Sequence, residues 1–251
     1  MKPALAIASF ALIALASAEE PKPKEKPTKE KDRYETRRVH DPDGIGKFYK
    51  DREIAQVMGY QGASWLERGT REKEEAPTKL IEALKIEEGM TVADVGAGSG
   101  YHAFRMAKLT KAKGKILAVD IQQEMLDMME KRIKDEKIEG IETIKGTEKD
   151  PKLPEGKVDL VLMVDVYHEF EYPFEMMEKM VASLKPGGRI AFVEFREEDR
   201  DVPIKPVHKM SERQVLKEME EFSTMEHAET IKTLPWQHVI LFAKKKDVPK
   251  K

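Results

Sequence analysis

Residues 92–100 read Val92-Ala93-Asp94-Val95-Gly96-Ala97-Gly98-Ser99-Gly100, and this stretch decides the fold. A short apolar run broken by one acid enters three alternating glycines, and residues 101–109 then read as a helix. Gly96 and Gly98 let the chain turn tightly and approach a ligand; Gly100 lets the helix start close to the strand. Such a turn offers bare backbone N–H groups to a ligand at the carboxyl edge of a parallel sheet.

Outward from this turn, strand and helix patterns alternate. Strands are expected at 91–95, 115–120, 141–145, 158–164 and 189–195, and helices at 101–109, 122–136, 173–184 and 211–222. Residues 158–164 are almost all apolar, as in a strand buried on both faces. Met125, Leu126, Met129 and Ile133 share one helical face, so this methionine-rich stretch is expected to be core, as are Met176, Met177 and Met180. The last two strands, 224–232 and 238–244, are joined by a short loop holding Pro235-Trp236, which implies an antiparallel pair. The expected fold is α/β: a Rossmann-like, seven-stranded, mostly parallel sheet ending in an antiparallel strand pair.

Asp120 closes the second strand twenty positions after Gly100. In a doubly wound sheet that strand neighbours the first, so the carboxylate can accept both hydroxyls of a ribose. Two cofactors fit, a dinucleotide such as NAD and S-adenosylmethionine. Asp94 discriminates between them, because a carboxylate beside the cradle repels a diphosphate but suits a ligand carrying an ammonium and a sulfonium.

At these residues the chain resembles the class I S-adenosylmethionine-dependent methyltransferases. Residues 92–100 match the family's first motif and Asp120 its ribose acid. Asp159-Leu160-Val161-Leu162-Met163-Val164-Asp165 matches the fourth strand with its terminal acid. Leu184-Lys185-Pro186-Gly187-Gly188-Arg189-Ile190 matches the loop entering the fifth strand. The resemblance covers about residues 78–245. It implies that Asp94 and the backbone of Gly96, Ala97, Gly98 and Gly100 hold the methionine part, and that Asp120 and Ile121 hold the ribose and adenine side. Asp165 is included in the cofactor set as the fourth-strand acid. The family often has an Asp near the adenine amine; here the stretch is Lys145-Gly146-Thr147-Glu148, so Thr147 or Glu148 takes that place. The similarity is to the broad group of quinone-ring and other small-molecule methylases. An arsenite methylase is disfavoured because such enzymes use cysteines, and this chain has none.

Asp165-Val166-Tyr167-His168-Glu169-Phe170 follows the fourth strand, where the methyl group would meet its acceptor. Methyl transfer needs an acceptor lone pair aligned and water excluded, and a base where the acceptor is a phenol, hydroxyl or acidic carbon. His168 is the candidate base, oriented by Glu169 or Asp165; the alternative is that it lines the pocket without moving a proton. His208, after the fifth strand, is a further candidate facing the site.

The N-terminus reads differently. Residues 1–18 resemble a secretory signal, with Lys2, an apolar run and Ala16-Ser17-Ala18 before Glu19. Residues 19–39 are rich in Pro, Lys and Glu and are expected to form a disordered linker. Residues 40–88 are expected to be a helical cap, with short helices at 51–58 and 63–71 and another at 78–85. Trp65 is expected to pack the cap on the main domain; alternatively Tyr60, Trp65, Arg68 and Arg71 roof the ligand site. The methyltransferase domain proper spans 89–246 and a tail 247–251. Export follows if the signal works, otherwise the cytoplasm. No membrane span is expected after signal cleavage.

Composition limits the alternatives. The 251 residues carry 45 Lys+Arg against 47 Asp+Glu, a net charge of −2, so no field draws nucleic acid. The absence of cysteine excludes disulfides and thiolate metal sites, and the six histidines lack HxxxH or HExxH spacing, so no metal site is expected. The partners the resemblance implies are the cofactor and a small-molecule methyl acceptor, with oligomeric state unassigned. Two rival readings remain: an NAD-dependent oxidoreductase, and a non-catalytic cofactor-binding module in the cell envelope.

Overall fold

The computed structural model describes residues 33–246. The expected signal at 1–18, the part of the expected linker up to residue 32 and the expected tail at 247–251 lie outside the described residues.

The described chain opens with a small antiparallel sheet, β1 (Tyr34–Thr36), β2 (Gly44–Tyr49) and β3 (Arg52–Ala55). This corrects two expectations, the linker to residue 39 and the helix at 51–58. Tyr49 pairs with Arg52, so Lys50-Asp51 is a two-residue hairpin loop, and both residues have positive φ (47° and 72°). That is the twist a tight hairpin requires, met here without the Asn-Gly that normally signals it. β1 is held because Tyr34 packs on Tyr49 and Tyr172, while Arg33 lies 3.4 Å over the Phe174 ring and pairs with Glu175. The rest of the cap is helical, with α1 (Ala63–Leu66), α2 (Arg71–Glu74) and α3 (Pro77–Ala83).

The main sheet then forms as expected from β4 (Thr91–Val95), α4 (Ala103–Thr110), β5 (Lys115–Asp120), α5 (Gln123–Glu136), β6 (Ile141–Lys145) and β7 (Val158–Val164). It is completed by α6 (Pro173–Ser183), β8 (Leu184–Phe195), α7 (Glu212–Met219), β9 (Met225–Ile231) and β10 (Gln237–Lys244). Ser211 caps α7, accepting a hydrogen bond from the Gln214 N–H. The strand order is β6-β5-β4-β7-β8-β10-β9. β10 inserts between β8 and β9 and is antiparallel to both, so it alone runs against the other six.

Both faces of the sheet are covered. Along β7, Val161 and Met163 face one layer, with Met176, Met177 and Met180 of α6 and Val215 and Met219 of α7. Leu160 and Leu162 face the other, with α3, α4 and α5. This two-sided burial explains the unbroken apolar runs. The carboxyl ends of β4, β5, β7 and β8 are left at one edge. Among the described residues, no helix is long and apolar enough to cross a membrane.

Candidate active site

A cavity of about 740 Å³ opens at that edge, well within the range of small-molecule sites. It extends from the loops after β5 and β6, past the glycine turn after β4, to the loops after β7 and β8.

The glycine turn is shaped as its sequence requires. Gly96, Gly98 and Gly100 have φ of 75°, 54° and 82°, a region that side chains resist. A Cβ on Gly96 would lie 2.4 Å from Val166, and one on Gly98 2.6 Å from Leu66. Asp120 closes the turn from the neighbouring strand: Gly98 N donates to its Oδ2 at 2.9 Å, and Gln122 N to its Oδ1 at 2.8 Å. Burial raises its pKa against those amide contacts. Gly96, Gly98, Asp120, Ile121, Thr147 and Glu148 all line the cavity. Asp94, Ala97 and Gly100 are not among the lining residues.

Asp94 is 3% exposed, and its Oδ2 has no hydrogen-bond partner among the described residues. Burial pushes its pKa up to about 7, while the nearby Arg71 charge and the Ala103 amide oppose the rise. Arg71 is itself buried, paired with Glu75 and bonded to Leu66 O at 2.9 Å. Asp165 is a half-buried acid whose Oδ1 is itself buried and has no hydrogen-bond partner among the described residues; its other oxygen accepts from Gln237 Nε2 at 2.6 Å. It is a non-glycine residue at φ 50°, and burial, followed by the Glu75 and Glu194 charges, holds its pKa well above the ordinary carboxylate range.

At the other end stand His168, Glu169 and His208, brought together as the sequence suggested. The group that orients His168 is neither Glu169 nor Asp165, which corrects that expectation. His168 Nδ1 donates to Glu194 Oε2 at 2.6 Å, and Glu194 Oε1 accepts from Tyr167 N at 3.0 Å. Glu169 Oε1 is 3.9 Å from His168 Nε2, and Asp165 is committed to Gln237. Burial presses the His168 pKa down, but the Glu194 charge and hydrogen bond outweigh it, and the net shift is upward. Burial, then the His168 charge, lowers that of His208. Glu169 is pushed up to about 7 by burial, with the His168 charge and the Met58 amide opposing.

Glu194 is a residue that sequence reasoning missed. The signal was present, since it is an acid inside the apolar run of β8, where an unpartnered charge would be costly. Arg52 was missed too. From β3 it grips Glu218 through two bonds of 2.7 and 3.1 Å and donates to His168 O at 3.1 Å. The cap thereby fixes the His168 loop. It also roofs the cavity with Val57, Met58, Trp65, Leu66 and Arg71. Trp65 is 38% exposed and lines the cavity, so the roofing alternative holds for it and for Arg71. Arg68 stacks 3.6 Å over the Trp65 ring, outside the lining, and Tyr60 is also outside it.

Comparison with known proteins supplies the family. Residues 86–248 match the model of a family described as "Methyltransferase domain". The chain belongs to this family of S-adenosylmethionine-dependent methyltransferases. It is similar to the ubiquinone/menaquinone biosynthesis C-methyltransferase UbiE of Pseudomonas putida (strain GB-1), 27% identical over 134 residues, or 53% of this chain and 49% of the relative. It is also similar to the demethylmenaquinone methyltransferase of Lactococcus lactis subsp. lactis (strain IL1403), 22% identical over 148 residues, or 59% and 57%. The chain thus spans about half the length of the curated relatives it matches. The crystal structure of a SAM-dependent methyltransferase from Aquifex aeolicus superposes with a TM-score of 0.70 at 24% identity, over 75% of this chain and all of that one, and shares the fold. Family membership excludes the oxidoreductase reading.

The residues present fit S-adenosylmethionine. A cradle of three positive-φ glycines leaves no room for side chains, a strand-terminal acid bonds to it, and Asp94, two residues before it, keeps an orphaned carboxylate oxygen.

Proposed function

We propose that this protein methylates a small or medium-sized acceptor held between the cap and the His168–Glu194 pair. The observation that carries the reading is one cavity lined both by the glycine turn with Asp120 and by a buried, carboxylate-oriented histidine. When bound, S-adenosylmethionine would supply an electrophilic methyl group, with a neutral thioether as its leaving group.

The chain's own residues do the rest. The Gly96–Gly98 backbone and the buried Asp94 charge receive the methionine end, and Asp120 with Ile121 receives the ribose and adenine. Asp120 keeps acceptor capacity beyond its two amide bonds, since each carboxylate oxygen has a second lone pair. Thr147 and Glu148 border the adenine. Asp165 shapes the passage between the two ends. Glu194 fixes His168 as an Nδ1–H tautomer, which leaves Nε2 as the group to take a proton from an acidic hydroxyl or enol. The cap excludes water. The quinone-ring chemistry named for the relatives makes an aromatic or enolic acceptor the first to try.

The test is incubation with methyl-labelled cofactor and panels of phenols, quinols and enols. Label should appear in one class of product and be lost with His168→Ala. A protein that binds cofactor yet labels nothing across those panels and a whole metabolite extract would be the non-catalytic module instead. We further infer export through residues 1–18, with the cytoplasm as the alternative. Glu19 as the first residue of the native protein in an envelope fraction would support export, and an intact Met1 in the cytosol would refute it.

A further inference from the structure

His168, Glu169 and His208 each offer one ligand atom, and these atoms lie within 4.8 Å of one another. The two imidazole nitrogens that face each other, His168 Nε2 and His208 Nδ1, are 3.2 Å apart. Two nitrogens that each bind one cation at about 2.1 Å stand roughly 3.0–3.4 Å apart across the angles of octahedral and tetrahedral geometry. The rings meet at 87° with centroids 5.2 Å apart, so they converge by their edges and do not stack. Glu169 Oε1 is 3.9 Å from both nitrogens and needs to close by about half an ångström, within reach of a side-chain rotation.

A second observation is independent of the cluster. His168 is 2% exposed, and its far nitrogen is bound to the fully buried Glu194, itself held by the Tyr167 N–H. A carboxylate on the rear of a histidine fixes the tautomer and turns the other lone pair forward, which is how metal-binding histidines are supported. The lone pair is turned towards His208 and the cavity. All three donors line the cavity, so protein would cover one side of an ion and the other would stay open to a ligand. Local spacing gave no sign of this, because His208 is forty residues from His168 and arrives on a separate loop.

We propose that His168, Glu169 and His208 bind a divalent transition-metal ion of the zinc class at the acceptor end of the cavity. Two imidazole nitrogens and one carboxylate oxygen suit zinc, cobalt or iron(II) better than magnesium or calcium, which take all-oxygen sets. The open side would take an acceptor with two neighbouring oxygens. Coordination acidifies a bound hydroxyl, and its proton leaves to solvent, so the ion replaces His168 Nε2 as the activating group whenever it is present. This consequence for the acceptor rests on the methyltransferase reading; binding of the ion does not.

The experiment is titration of the chelator-stripped full chain with Zn²⁺ by calorimetry and with Co²⁺ by visible absorption, without cofactor. One equivalent should bind. His208→Ala, at a partly exposed position, should weaken binding at least tenfold. Glu194→Gln, behind the ligand set, should weaken it about 10- to 100-fold. His227→Ala, on exposed β9, should leave it unchanged. No saturable binding, or binding equally strong in His208→Ala and Glu169→Gln, would overturn the site. Cofactor affinity of the stripped protein, measured in parallel, reports on the methyltransferase reading separately.

Discussion

The two ends of the cavity are built in opposite ways. The glycine end is local: Gly96, Gly98 and Asp120 come from two adjacent parallel strands and their turns, joined by one backbone-to-carboxylate bond. The histidine end is assembled from afar: His168, Glu194, His208, Glu218 and Arg52 come from five segments and meet through side chains. The first end binds by backbone shape, so little but glycine and one acid can serve. The second depends on charges buried in pairs, so loss of any partner strands the next.

That contrast is open to attack by mutation. His168→Ala should lower turnover by about 10²- to 10⁴-fold with cofactor affinity changed less than threefold. An equal loss of both would erase the division between the ends. Arg52→Ala touches no ligand, yet leaves Glu218 without its cation; denaturant unfolding should show a loss of about 3–5 kcal/mol, slightly eased by the Gln214 and Tyr167 contacts that remain. A loss below 1 kcal/mol would mean the cap does not hold the histidine end. Gly96→Ala should cost about 1–3 kcal/mol of stability, through positive φ and the clash with Val166, and should weaken cofactor binding more than the unfolding loss explains.

A smaller effect belongs to pH. Asp94 titrates at about 7 in the cofactor-free protein, and a ligand bearing an ammonium favours the ionised form. Cofactor affinity should therefore rise between pH 6 and 8, by up to about tenfold, and flatten above. Asp94→Asn should remove the slope. The same raised pKa works against the free protein. Its contribution to stability is present below the unfolded value of 3.8 and is lost as pH climbs through about 7.

What the sequence made legible follows the same division. The strands of the main sheet, the glycine turn and Asp120 were readable because each is a short-range pattern set by backbone needs. The hairpin at Lys50-Asp51 was not, since its positive φ values sit on residues that do not advertise them. Nor was Glu194 as the partner of His168, because register across β7 and β8, and not chain distance, puts them together. The direction of β9 also escaped, as a short loop shows that two strands are antiparallel without showing which of them faces the sheet.

Equilibrium dialysis of S-adenosylmethionine against wild type, Asp120→Ala and His168→Ala tests the two-ended cavity most directly. The account predicts that Asp120→Ala weakens binding about 10- to 100-fold, since a charged acceptor for the ribose and the staple on Gly98 are both lost, while His168→Ala binds as wild type does. Undiminished binding by Asp120→Ala, or a matching loss in His168→Ala, would contradict it.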